Sequence, residues 1–215
     1  HRLRKWISVL DIKEFGPVLI ERLFESGNVR YVADLYRVRP EDIAAFEGMG
    51  EGIARKALTN LHAASEVRLS TFVAGFDIGG IGELIGEKVV HAGYDTLEKL
   101  RAATVDELAS VDGVGKLTAQ TLKRGLEELA EHMDTLLSSG AVRIVAPAAD
   151  SPIRGRSFCF TGSLESMKRS RAEEMVREMG GTAKSNVTFD LDYLVTNTPD
   201  SGSAKNRKAR ELGVA

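Results

Sequence analysis

Four short turns recur along the first part of this chain on a single period: Glu14-Phe15-Gly16, Gly48-Met49-Gly50, Gly80-Ile81-Gly82 and Gly113-Val114-Gly115. Their last glycines, at 16, 50, 82 and 115, are 34, 32 and 33 residues apart. The second and fourth repeats also align at an offset of 65, pairing Leu35 with Leu100, Ala44 with Ala109, Gly48 with Gly113 and Ala54 with Ala119. A period of this length means one supersecondary unit used four times, with the core formed between copies.

Each turn is flanked by helical patterning. Pro40-Glu41-Asp42-Ile43 and Val105-Asp106-Glu107-Leu108 open short helices with acidic first turns, which suit the helix dipole. After the fourth turn Ala119, Leu122, Leu126 and Leu129 mark one helix face, and after the second Ile53, Ala57, Leu58 and Leu61 do the same. The unit is therefore helix, glycine hairpin, helix. Its apolar middle residue (Phe15, Met49, Ile81 or Val114) plugs the gap between the two helices. Helical solenoids share the period but lack a small-apolar-small turn that opens directly into the next helix.

That turn offers specific chemistry. Glycine accepts left-handed backbone angles and lets a ligand approach closely. The amides that follow point outward at a helix N-terminus, where the macrodipole also favours an anion. The matching ligand is a phosphate oxygen. Candidate contacts are Gly48, Met49, Gly50, Gly80, Ile81, Gly82, Gly113, Val114 and Gly115, with Arg55, Lys56, Lys88 and Lys116 as nearby cations. Six residues after each last glycine stand Arg22, Lys56, Lys88 and Thr121. The competing readings are tight helix packing for the glycines and a solvated helix face for the cations. Glu14 replaces glycine in the first turn and puts a carboxylate there, so that turn reads as structural.

Ala146 to Pro152 is small and proline-bearing and reads as a linker. Beyond it the period changes. Arg156 to Gly162 alternates as a strand ending in a turn. Ala172, Met175, Val176 and Met179 mark a helix stopped by Gly180-Gly181, Asp192 to Thr196 forms another strand, and Ser203 caps a last helix running to Leu212. Strands alternating with helices predict a small α/β module with a parallel sheet. Cys159 reads as a buried structural thiol, and Trp6 and Ile7 as packing on the first hairpin.

Charge bounds the partners. The 29 Lys+Arg and 31 Asp+Glu give −2 overall, divided as −5 over residues 1–150 and +3 over 151–215. Such a chain does not bind nucleic acid as a basic blanket, so any polyanion contact must come from local geometry. The single cysteine can form neither an internal disulfide nor a cysteine metal cage, and the four histidines share no ligand spacing. No window approaches a transmembrane span.

The hairpins, with Ala33-Asp34-Leu35-Tyr36, Phe46-Glu47-Gly48-Met49-Gly50 and Val111-Asp112-Gly113-Val114-Gly115, resemble the helix-hairpin-helix array of bacterial NAD-dependent DNA ligases. The resemblance implies two paired hairpin units gripping duplex DNA by its backbone from the minor-groove side, without reading sequence. Glu14 and Asp77-Ile78-Gly79-Gly80 depart from the pattern at places where such ligases commonly carry basic character. Phe160-Thr161-Gly162-Ser163-Leu164, Met179-Gly180-Gly181, Tyr193-Leu194-Val195 and Lys205 to Gly213 resemble a BRCT domain, which ends the same ligases. The resemblance assigns a phosphate to Thr161, Gly162 and Lys205, either a DNA 5′ end or a phosphopeptide. The competing reading is a capping Thr161 and a solvated Lys205. Against the BRCT pattern the chain stops short of the last strand and helix.

The Lys-x-Asp-Gly setting of a nucleotidyl-transferring lysine is absent, as are Walker, Ser-His-Asp and carboxylate-metal motifs. The expectation is thus a mostly α, multi-domain chain without chemistry of its own. Residues 1–145 are an all-α array of two paired hairpin units, 146–152 a linker, and 153–215 a BRCT-like α/β domain with a parallel sheet, incomplete at its end. NAD, Mg and Zn are expected of a parent ligase only, whose four-cysteine zinc module would precede residue 1. The expected partners are double-stranded or nicked DNA and an upstream catalytic domain of the same polypeptide, with no membrane partner. The chain is expected to be a monomer in the cytoplasm, associated with the nucleoid. Two alternatives remain open: a scaffold whose C-terminal module reads phosphopeptides, and a hairpin appendage of a repair nuclease or polymerase, which does not predict the C-terminal segment.

Overall fold

Helix formation follows the glycine punctuation closely. In the computed structural model, which describes residues 2–146, 151–153 and 155–214, the chain divides into two compact units, 1–145 and 146–215. Most of the expected linker, residues 147–150, lies outside the described residues.

The first unit runs α1 (Arg2–Val9), α2 (Pro17–Glu25), α3 (Val32–Leu35), α4 (Pro40–Ala44), α5 (Glu51–Ala63), β1 (Glu66–Arg68), α6 (Leu69–Gly75), α7 (Glu83–His91), α8 (Leu97–Ala102), α9 (Val105–Ala109), α10 (Lys116–Glu128), α11 (Ala130–Ser138) and β2 (Arg143–Val145). The four turns join α1 to α2, α4 to α5, α6 to α7 and α9 to α10. One apolar core spans the unit. Phe15, Ile81 and Val114 are buried in it and Met49 packs against it, so each hairpin's middle residue anchors its turn. Ala119, Leu122, Leu126 and Leu129 face the core as the periodicity predicts.

Two expectations need correcting. Ile53 is 46% exposed, and Ala54 takes its place in the core. Trp6 packs edge-on against Phe72 and Phe76, on and just after α6, rather than on the first hairpin. A Cβ at Gly75 would stand 2.6 Å from the indole, so glycine there makes room for the ring. The Trp6 Nε1 donates to the Tyr36 hydroxyl at 3.1 Å, and burial pushes that phenol up to about 12. One feature had no sequence signal. β1 and β2 pair in parallel, Glu66 opposite Arg143, and tie the two ends of the last hairpin pair together.

In the second unit β3 (Ser157–Phe160), α12 (Arg169–Glu178), β4 (Thr182–Lys184), β5 (Tyr193–Val195) and α13 (Ala204–Leu212) follow in order. The sheet is parallel, ordered β4-β3-β5. Central β3 buries Cys159 on the α13 side and Phe160 on the α12 side. Met179 falls outside the predicted helix face: it caps the C-terminus of α12 and is exposed. Among the described residues no helix is long and apolar enough to cross a membrane.

Candidate nucleic-acid interface

The two glycines of a hairpin have different jobs. The first must adopt a left-handed backbone: φ is +78° at Gly48, +73° at Gly80 and +71° at Gly113. Glu14 holds the same conformation, φ +65°, in the first hairpin without the freedom glycine has. The second glycine is extended, with φ −68° at Gly16, −80° at Gly50, −100° at Gly82 and −70° at Gly115. Any residue adopts those angles, and a Cβ at any of the four would meet nothing within 4 Å. Nothing inside the protein asks for glycine there.

The second glycine is also the N-cap of the next helix. Its carbonyl accepts the first helical bonds, from Ile20, Ala54, Gly86 and Ala119. The middle residue's amide is spent internally: Met49 donates to Phe46, Ile81 to Ile78 and Val114 to Val111, at 2.9–3.0 Å. Among the described residues, the amides of Gly50, Glu51 and Gly52 donate to no acceptor in the chain, nor do those of Gly82, Glu83 and Leu84 or of Gly115, Lys116 and Leu117. None of the four hairpin helices has a side-chain cap. Three other helices, α8, α9 and α13, do carry side-chain caps. Thr96, Thr104 and Ser203 accept from the amide three residues on, and Glu107 returns a bond to the Thr104 amide, which holds its carboxyl below the usual range. α6, α11 and α12 also start without a side-chain cap, but none of them starts at a glycine; the extended glycine cap is what the four repeats share. Gly48, Gly50, Gly80, Gly113 and Gly115 are exposed and Gly82 is half-buried.

The cations at the sixth position play a part that spacing did not reveal. Arg22 donates to the Glu47 carbonyl at 2.7 Å, reaching from the first repeat to the second hairpin. Lys56 returns the gesture, its Nζ 2.5 Å from Glu14 in the first hairpin. In the third repeat the Lys88 ammonium occupies the space a Cβ on Gly113 would fill. Thr121 bonds within its own helix, to the Leu117 carbonyl. Each sixth-position cation thus ties hairpin one to hairpin two, or three to four. The flanking cations are also engaged, Arg55 with Glu51 at 3.3 Å and Lys116 with Asp106 at 3.8 Å. Glu83, first in α7, is held by Arg68 and Thr71.

One class of residue exposed beside these caps was not anticipated from the sequence. Val18, Ile53, Leu84 and Leu117, two or three residues after each last glycine, are large, apolar and exposed. Their signal was available: an aliphatic residue two or three places after each last glycine.

In the second unit Thr161, Gly162 and Lys205 do come together, at the C-terminal end of β3. Thr161 is buried and its amide donates to Val195. Gly162 has φ +74°, and the Lys205 Nζ donates to the Phe160 carbonyl at 3.1 Å. Among the described residues no group of three His, Cys, Asp or Glu could hold a metal ion.

Comparison with known proteins agrees with this geometry. Residues 76–128, the third and fourth hairpins, match the SAM-like helix-hairpin-helix tandem, and residues 149–215 match the BRCA1 C-terminus (BRCT) domain. The chain is 48% identical over its whole length to a DNA ligase of Treponema denticola, 44% to one of Treponema pallidum, and 37% over 99% of its length to one of Sorangium cellulosum. It covers 34%, 26% and 31% of those relatives respectively, a quarter to a third of their length. From end to end, then, the chain is similar to a helix-hairpin-helix and BRCT region of DNA ligases.

Proposed function

We propose that this chain grips duplex DNA by its phosphates, intact or nicked and without reading sequence, as the non-catalytic C-terminal part of an NAD-dependent DNA ligase. The observation that carries the reading is the second glycine of each hairpin. It is extended, bordered by empty space and followed by amides that meet no acceptor. A side chain there would keep a ligand away from those amides, and the chain leaves it out in the second, third and fourth hairpins, where the amides are free; in the first, Gly16 is followed by Pro17, which has no N–H. Phosphate is the ligand suited to amides at a helix N-terminus, and phosphate contacts position a protein without specifying bases.

In this reading the preceding part of the polypeptide adenylates itself with NAD and seals the nick, while this chain holds the ends in register and so removes part of the entropic barrier. The substrate is then DNA undergoing replication or repair in the cytoplasm, at the nucleoid. Zinc and magnesium would belong to that preceding part. Thr161, Gly162 and Lys205 are the residues suited to a single phosphate, with the Lys205 ammonium already held at the mouth by the Phe160 carbonyl.

Fluorescence anisotropy with random-sequence duplexes tests the proposal. With about four to six phosphates engaged, log K falls against log salt with a slope of about −4 to −5. Lys88, beside the bare Gly113, contributes to that slope, whereas Lys56 is already neutralised by Glu14. Lys88→Ala therefore makes the slope shallower by about one, equally for all sequences, and Lys56→Ala leaves it in place. A flat salt dependence, or tighter binding to a phosphopeptide than to nicked duplex, would favour the scaffold alternative.

A further inference from the structure

Soluble domains scatter single apolar residues over their surfaces, so an exposed leucine means little by itself. Recurrence in the first helical turn after all four hairpin glycines is another matter. Among the described residues of the first unit, the large exposed hydrophobics are Val18, Phe24, Tyr31, Ile53, Leu84 and Leu117. Phe24 lies under the Arg30 guanidinium at 4.8 Å and Tyr31 stacks on His132 at 4.2 Å, so each ring has a partner on one face. The other four stand at the second or third position of α2, α5, α7 and α10. They are 57%, 46%, 58% and 77% exposed. Each lies within one helical turn of a bare glycine cap.

A nucleic-acid strand alternates the same two chemistries, an anionic phosphate followed by the apolar C–H face of a sugar. In duplex DNA those sugar faces line the walls of the minor groove, where apolar side chains are known to make contact. Resting on the phosphate-gripping reading above, we infer that Val18, Ile53, Leu84 and Leu117 form the apolar half of each hairpin's contact. In the second, third and fourth hairpins each packs on the deoxyribose beside the phosphate held by that hairpin's amides. The hairpin is then a two-part probe that recognises the repeat of the strand rather than its bases, and the aliphatic tips set the groove it enters.

Leu84→Ser combined with Leu117→Ser tests this in the full chain. Both side chains are exposed, and serine suits the first turn of a helix, so the melting temperature is expected to stay unchanged. Duplex affinity is expected to fall about tenfold. The slope of log K against log salt is expected to stay the same, because an apolar contact releases no counterions. Leu84→Ile with Leu117→Ile keeps the contact and is expected to bind as the wild type does. Unchanged affinity of the serine variant would overturn the inference. So would a loss accompanied by a shallower slope, or a wild type that self-associates and becomes monomeric on the serine change. A wild type that binds no duplex would remove the phosphate-gripping reading and this inference with it. Normal wild-type binding with an unaffected serine variant would remove this inference alone.

Discussion

Two glycines separated by one residue look equivalent in a sequence and are held in place by different forces. Gly48 and Gly113 have φ near +75°, where an alanine is strained by about 1–2 kcal/mol. Gly50 and Gly115 are extended, with open space where a side chain would go. Alanine there gives up a favourable N-cap but restricts the unfolded chain, and the two effects offset to within about 0.5 kcal/mol. The expected outcome is a double dissociation. Gly48→Ala and Gly113→Ala lower the melting temperature, whereas Gly50→Ala and Gly115→Ala leave it nearly unchanged and weaken duplex binding because the new Cβ stands over the free amides. Thermal unfolding and anisotropy on the same four variants check this. Normal binding by Gly115→Ala would mean that the open space serves no ligand.

At the scale of elements, the three short parallel strands of the second unit are held at their ends by charge. Asp192 accepts from the Ser157 amide and hydroxyl, both at 2.8 Å, and from Arg156 at 3.0 Å, joining the start of β5 to the start of β3. Those bonds, the Ser157 amide's first, hold its carboxyl below the usual range. Lys184 at the end of β4 bonds Asp190 at 2.6 Å and brings that carboxyl down to about 2. A depressed carboxylate stabilises the fold above its unfolded pKa of about 3.9, and that contribution is lost as pH falls through the folded value. The second unit is therefore expected to lose stability between about pH 4 and pH 2. Asp190→Asn with Asp192→Asn should melt about 4–8 °C lower at neutral pH and show a smaller fall across the acid window, measured by circular dichroism. These ties also show what sequence could reveal. The hairpins and the longer helices were legible because a period of 33 and a helical face repeat over many residues. β1, β2 and β4 are three residues each, too short to alternate, and β1 finds its partner across the whole of the last hairpin pair. Ile53 obeys the helical spacing yet stays outside the core, since position in the first turn overrides it. The reach of Lys56 to Glu14 and of Lys88 to Gly113 depends on how two repeats pack, which spacing within one repeat does not encode.

Taken as a whole, the molecule has little field with which to attract a polyanion. Its net charge is −2, and residues 1–150, which carry the hairpins, stand at −5. Electrostatic steering raises association rates when a protein's summed potential complements its partner, as it does not here. On the proposed reading the attraction is short-ranged, from the dipole and free amides at the start of the hairpin helices and from Lys88 beside Gly113. Binding should therefore be local in its kinetics as well as its contacts. Association with duplex DNA is expected at about 10⁵–10⁷ M⁻¹ s⁻¹, the range of unsteered docking, and to change little as salt is lowered. The salt dependence of affinity then falls mainly on dissociation, which slows as salt is removed and the hairpins hold their phosphates longer. Stopped-flow mixing with labelled duplex over a salt series separates the two rates. An association rate climbing towards about 10⁹ M⁻¹ s⁻¹ at low salt would place the attraction in a long-range basic surface and take it away from the glycine caps.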